Sequence, residues 1–210
     1  MDHKQRILLK GEELFLHYGI RSVSMDDIAV NLGMSKKTLY QYYADKDELV
    51  AAVVDLHINK MEKDCAACRR SAKDAIHEMF LTMTDTMEQF SNINPMVMHD
   101  LEKFHFKAFQ RFREHKDKYL YKVIKDNIEW GMKDGVYREE LQVEILIRYR
   151  LETMMLPFNI MAFPPSKFTV LETNRVMMEN FILGLCSSKG IKLIQKYNQQ
   201  RIKKQSHENR

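Results

Sequence analysis

The chain has 210 residues, 45% hydrophobic and 30% charged, with 7 Gly and 4 Pro but 15 Met. Few helix breakers at that apolar content point to an all-α protein, and the length allows one domain or two. Three cysteines, an odd number, argue against a disulfide framework, and no apolar run approaches the ~20 residues of a membrane helix, so a cytoplasmic, membrane-free protein without a leader is expected. The net charge of +4 is unevenly placed: residues 189–210 carry +6, and residues 1–46 only +1. Any case for nucleic acid must therefore rest on where single lysines sit.

In chain order, Asp2 is placed to cap a first helix. Ile7, Gly11, Leu14 and Tyr18 form its stripe, Leu8 and Phe15 widen it, and Gly19 ends it. Met25, Ile28, Ala29 and Leu32 then predict a short helix over Met25–Leu32, with Asp26 and Asp27 suited to the positive end of its dipole. Gly33 stands where a residue tolerant of positive φ ends a helix. Ser35 is an N-cap for a third helix, Lys36–Tyr42, held on the second by Leu39 and Tyr43. Lys36, Lys37, Thr38, Tyr40 and Tyr42 then face outward. Such a helix offers N–H groups, cations and hydroxyls to phosphates and base edges; its plain alternative is a solvated helix in an α-hairpin.

A long fourth helix, Lys46–Arg70, follows a cap near Asp45, with Leu49, Val53, Leu56 and Met61 inside. Residues 73–91 are periodic through Ile76, Phe80, Met83, Met87 and Phe90, and Asn94-Pro95 breaks them. Phe104, Phe106, Phe109 and Phe112 cluster next, and Lys116–Gly131 reads as another helix. Asp134-Gly135 is a turn. Gln142–Phe163 reads as one helix kinked at Pro157. Thr169 with Glu172 signals a capped helix to about Leu185, and a basic helix from Gly190 fades into a fraying tail, 198–210.

The run from Asp27 through SKKTLYQYYADKDELV resembles the DNA-binding segment of the TetR family of transcriptional regulators. It matches at Ser24, Asp27, Ile28, Ala29, Gly33, Ser35, Lys36, Thr38, Leu39, Tyr40, Tyr43, Lys46, Leu49 and Val50 without gaps. Tyr43 stands where the family usually has Phe, and Ser24 where it often has Thr. GVYREEL, residues 135–141, resembles the link between the family's seventh and eighth helices. The resemblance implies a three-helix head (1–46), a body that binds an effector and dimerises (47–210), and repression relieved by an inducer. It also implies a homodimer on a double-stranded, pseudo-palindromic operator, its two heads in successive major grooves.

Within that frame the expected DNA-binding residues are Ser24, Ser35, Lys36, Lys37, Thr38, Tyr40, Tyr42 and Lys46. Lys37 and Thr38 are best placed for bases, and Tyr40, Tyr42 and Lys46 for phosphates. Phe80, Met83, Met87, Phe104, Trp130, Tyr149 and Met154 are pocket candidates for a small, apolar or aromatic effector, because Met adapts to varied shapes; ordinary core is the plain alternative. Met155, Phe158, Met161, Met177, Met178, Phe181, Ile182 and Leu185 make two helices apolar over a wide arc, which requires burial on two sides and hence a partner copy.

Cys65 and Cys68 form a C-x-x-C, but mid-helix, without a preceding strand or two further ligands nearby, so neither a redox centre nor a metal site is expected. No phosphate loop, nucleophile elbow or zincin motif occurs. Neither cofactor nor enzymatic activity is expected. Regulation by a protein partner, and redox or metal sensing through Cys65 and Cys68, are the alternatives.

Overall fold

The computed structural model describes residues 2–208, with their side chains except Glu88 and residues 200–208. Among them run eleven α-helices: α1 His3–Tyr18, α2 Met25–Asn31, α3 Lys36–Tyr40, α4 Lys46–Ser71, α5 Ala75–Phe90, α6 Met96–Phe104, α7 Phe106–His115, α8 Tyr121–Lys133, α9 Val143–Thr153, α10 Val170–Leu185 and α11 Ser188–Glu208. A π-helical turn, Lys116–Leu120, joins α7 to α8, and a 3-10 turn spans Leu156–Phe158. The only β pairing among the described residues is an isolated bridge between Tyr137 and Cys186. None of the described helices is long and apolar enough to cross a membrane. The all-α expectation is met.

Local chemistry explains the helix starts. Asp2, Ser24, Ser35, Asp45, Asp74 and Thr169 each accept a hydrogen bond from the backbone N–H three residues on. Each thereby satisfies one of the orphan donors of a helix N-terminus. Gly33 has φ 63°, as its place between α2 and α3 requires.

Two apolar cores form. The first joins α1, α2 and α3 to the start of α4 through Leu49, Val50, Val53 and Val54, and takes in Val97, Leu101 and Ala108 from α6 and α7. A boundary at 46/47 therefore falls after the first residue of α4 and cuts through this core. The second core holds Ala75, Ile76, Met83, Ile128, Ile147, Met178, Phe181 and Leu185. Tyr137 anchors it: its hydroxyl donates to Asn127 at 3.1 Å, and a Cβ on Gly131 would stand 2.1 Å from its ring. Only glycine fits there.

Polar bonds clasp the head to the body. The Asn94 N–H donates to the Leu16 carbonyl at 2.7 Å, and the Asn94 side-chain amide reaches the His17 carbonyl at 3.4 Å. Buried Asp100 accepts from the Arg21 N–H at 2.8 Å. The loop before α6 thus takes up carbonyls that the end of α1 leaves unpaired.

The expected helix Gln142–Phe163 is not continuous: α9 stops at Thr153. Pro157 lacks an N–H, and its ring conflicts with the carbonyl four residues back, that of Thr153, so the predicted kink is a full stop. Asn159 then organises a turn by accepting from the N–H groups of Met161 and Ala162, both at 3.1 Å. α3 ends at Tyr40, two residues before the expected end. The backbone of the tail continues α11 to Glu208, and the last two residues of the expected frayed stretch lie outside the described residues.

Arg150 lies in α9, only 7% exposed, without an acidic partner among the described residues. Its Nη2 faces the Met178 sulfur at 3.5 Å and its guanidinium lies 5.8 Å from the centre of the Phe181 ring. Burial pulls its pKa down to about 10, which still leaves it cationic at neutral pH. Removing such a charge in favour of an apolar chain of similar length should stabilise the body by roughly 1–4 kcal/mol. Arg150→Met should therefore unfold several degrees higher by calorimetry; a lower Tm would show that Arg150 has a counter-charge in the folded protein.

Candidate nucleic-acid interface

The interface is built from caps upward. Ser24 and Asp27 form a reciprocal capping box on α2: Ser24 Oγ accepts from the Asp27 N–H at 3.1 Å, and the Asp27 carboxylate accepts from the Ser24 N–H at 2.8 Å. The Ser24 hydroxyl, which donates to that carboxylate at 2.6 Å, and the Ser24 N–H hold the Asp27 carboxyl below its usual pKa. Ser35 Oγ accepts from the Thr38 N–H at 3.0 Å and meets the Thr38 hydroxyl at 2.8 Å. Ser24, Ser35 and Thr38 are thus committed to holding the two helices. Leu39 and Tyr43 are buried, as expected, and fix which face of α3 turns out.

That outward face presents Lys36, Lys37 and Tyr40, all exposed. Lys36 is not idle: its ammonium pairs with Asp26 at 2.8 Å, and that hydrogen bond raises its pKa. A phosphate would have to compete with Asp26 for it. Lys37 has no such partner among the described residues. Tyr42 is half-buried, its ring 6.0 Å from that of His3. Gln41, exposed at the end of α3, belongs to this face and was not singled out from the sequence. Its position just past Tyr40 was the available signal.

Lys46 opens α4 but folds inward, with its ammonium 5.8 Å from the centre of the Phe15 ring. Burial lowers its pKa, against the opposing pull of Asp100, Asp27 and Asp47. The N–H groups beside it are occupied: Asp45 accepts from the Glu48 N–H at 2.8 Å, and the Glu48 carboxylate accepts from the Ala44 N–H at 2.7 Å.

The seven expected pocket residues are not brought together. Met83 is core, Phe80 packs on Tyr197, and Trp130 lies under the Arg69 guanidinium at 3.9 Å. Met87 is half-buried against the second core. Phe104 and Tyr149 are exposed. Only Met154 lines an apolar cavity of about 140 Å³, which lies between α1, α4, α5, α6 and the 3-10 turn. The residues expected at a partner also divide. Met178, Phe181, Ile182 and Leu185 are buried within their own body, because they fill the second core, while Met177 is half-buried and Met161 exposed. Met155 and Phe158 line the cavity.

The Cys68 thiol donates to Asp85 at 3.0 Å. Burial pushes Cys65 up to about 11 and Cys68 up to about 12, so both stay protonated at neutral pH. Among the described residues no cluster of His, Cys, Asp or Glu could hold a metal. Replacing both cysteines by Ser should leave DNA affinity within a few-fold, with or without peroxide. Loss of a peroxide response in that variant would instead make the pair a sensor.

Two short capped helices around a tight turn, the second showing cations and hydroxyls outward, define a helix-turn-helix regulator head. Residues 7–53 match the family model of bacterial regulatory proteins, tetR family. The chain is 34% identical over 109 residues to the HTH-type transcriptional regulator YvaF of Bacillus subtilis, a match spanning 50% of this chain and 55% of that one. Thus the match covers about half the length of that curated relative. Two solved structures share the whole fold. The ketosteroid regulator KstR2 of Mycobacterium tuberculosis has a TM-score of 0.65 at 16% identity, covering 89% of this chain and 96% of that one. FadR of Bacillus subtilis, in complex with stearoyl-CoA, has a TM-score of 0.66 at 14% identity, covering 86% and 98%. The match to the tetR family thus covers the head, residues 7–53, and the two structures extend the likeness in fold to most of the chain.

Proposed function

We propose that the protein is a dimeric, DNA-binding transcriptional repressor that leaves a pseudo-palindromic operator when a small apolar molecule occupies its interior. The observation that carries this reading is the head: α3 buries Leu39, is capped by Ser35, and turns Lys37, Tyr40 and Gln41 to solvent on one face. That is the form in which a recognition helix meets base edges through its early residues and phosphates through its flanks. KstR2 is named a repressor, and FadR was solved with stearoyl-CoA; both support an effector-controlled repressor.

Within this reading Lys37 and Thr38 meet bases, Thr38 once its hydroxyl turns from Ser35, and Tyr40, Tyr42 and Lys46 meet phosphates. For Lys46 this requires its ammonium to swing off Phe15. Affinity measured against salt tests the assignment: Lys46→Ala should weaken binding alike on all sequences and flatten the salt slope by about one unit. Lys37→Ala should instead relax sequence preference. If neither affinity nor slope moves in either variant, α3 is not the reading helix.

The dimer forms through the outer faces of α9 and α10, where Ile145 (63% exposed), Tyr149 (55%), Val176 (44%) and Leu183 (47%) remain uncovered. An exposed apolar set of this size marks an interaction surface. Leu183→Glu places a charge there without touching the second core. Sedimentation should show that variant as a monomer with operator binding lost; a dimer that still binds would move the interface elsewhere.

A further inference from the structure

The cavity of about 140 Å³ is walled not only by the body but by the head. Phe15, Leu16 and Ile20, from α1 and the segment after it, form one wall; Met154, Met155 and Phe158 form another. Each of the two polar residues in its lining has an acidic neighbour. His57 Nε2 lies 3.0 Å from Glu12, and the Gln89 amide donates to Asp64 at 3.1 Å. No charged side chain lines the cavity among the described residues. An apolar void of about 150 Å³ stays dry and takes a benzene-sized guest. Outside it runs an open groove of about 550 Å³, and Met98, Phe112, Met155 and Phe158 line both spaces. Two of these four are flexible methionines, able to move aside as a door.

We propose that this cavity is a receptor site for small, neutral, apolar molecules of about the size of a single aromatic ring, entering past Met98 and Met155. The site acts on the head directly, because α1 itself is part of its wall. This rests on the reading of the chain as an effector-controlled repressor. A carboxylate is disfavoured by its desolvation cost, since the lining offers it only His57, already beside Glu12, and Gln89, already bound to Asp64. The guest binds the folded state alone, so it raises the unfolding temperature. By occupying the space behind Phe15 and Leu16, it favours a head position different from the one that fits the operator.

The probes are toluene and, as its charged counterpart, benzoate. Toluene at ten times its dissociation constant should raise Tm by roughly 3–6 °C, and benzoate at the same concentration should not. Toluene should lower affinity several-fold for an operator selected from random duplex DNA. Ile93→Phe and Met98→Trp each add bulk at the lining without altering α3; either one that folds should bind the operator yet lose both toluene effects. Equal Tm shifts from benzoate and toluene, or a toluene shift that survives in the filled variants, would overturn the site. Operator binding with no toluene effect on Tm would overturn the site while leaving the DNA-binding reading intact. A toluene shift in Tm with operator affinity unmoved would overturn the link to the head.

Discussion

The geometry of the molecule depends on how α1 ends. A helix leaves its last carbonyls unpaired, and burying them without partners is costly. Here Asn94 takes the carbonyls of Leu16 and His17, while Asp100 takes the N–H of Arg21 just beyond. Both partners belong to the loop before α6 and to α6 itself. The head is therefore seated on two supports, α4 through covalent continuity and the α6 region through these bonds. With one support it could swivel about the start of α4. With two, its orientation is tied to the spacing between α4 and α6, and the apolar cavity lies between those same helices.

α3 shows the same dependence on context. Five residues cannot hold a helix in water. Ser35 supplies one end, and Leu39 and Tyr43, both buried, supply the packing. Lys36 leans on Asp26 of α2 at 2.8 Å. The reading surface is thus rigid because its back and its cap are fixed, which leaves Lys37, Tyr40 and Gln41 without structural duties.

The caps were legible because they are local. Asp2, Ser35 and Thr169 announce helix starts within three residues, and the structure uses each one as its position implies. Family resemblance added the architecture. What sequence spacing did not carry was which apolar residues face one another across the chain. Phe80, Met83, Trp130 and Tyr149 repeat at helical spacing, but that spacing says only that a face is buried, not against what. Hence Met83 became core, Tyr149 surface, and the cavity wall fell to Phe15, Leu16 and Ile20, which sit some 130 residues before Met154. Likewise, the wide apolar arc of α10 was needed mostly by its own body. Pro157 was visible, but whether a proline bends or ends a helix depends on the residues after it, and Asn159 makes a turn there.

The placement of α11 bears on how the molecule meets a duplex. α4 has 26 residues, about 39 Å, and separates the head from the start of α5, where Tyr197 of α11 bonds Asp74 and stacks on His77. The last 22 residues hold a charge of +6, whereas residues 1–46 hold +1. Three of those cations, Lys189, Lys192 and Lys196, belong to the stretch of α11 that leads to Tyr197, so they stand by the far end of α4 rather than beside α3. Their pull on a polyanion is felt only within the ~8 Å screening length, so a contact made there holds the chain without bringing α3 to the duplex. First capture and correct docking are consequently separate events. A molecule held by α11 must turn over before α3 can read.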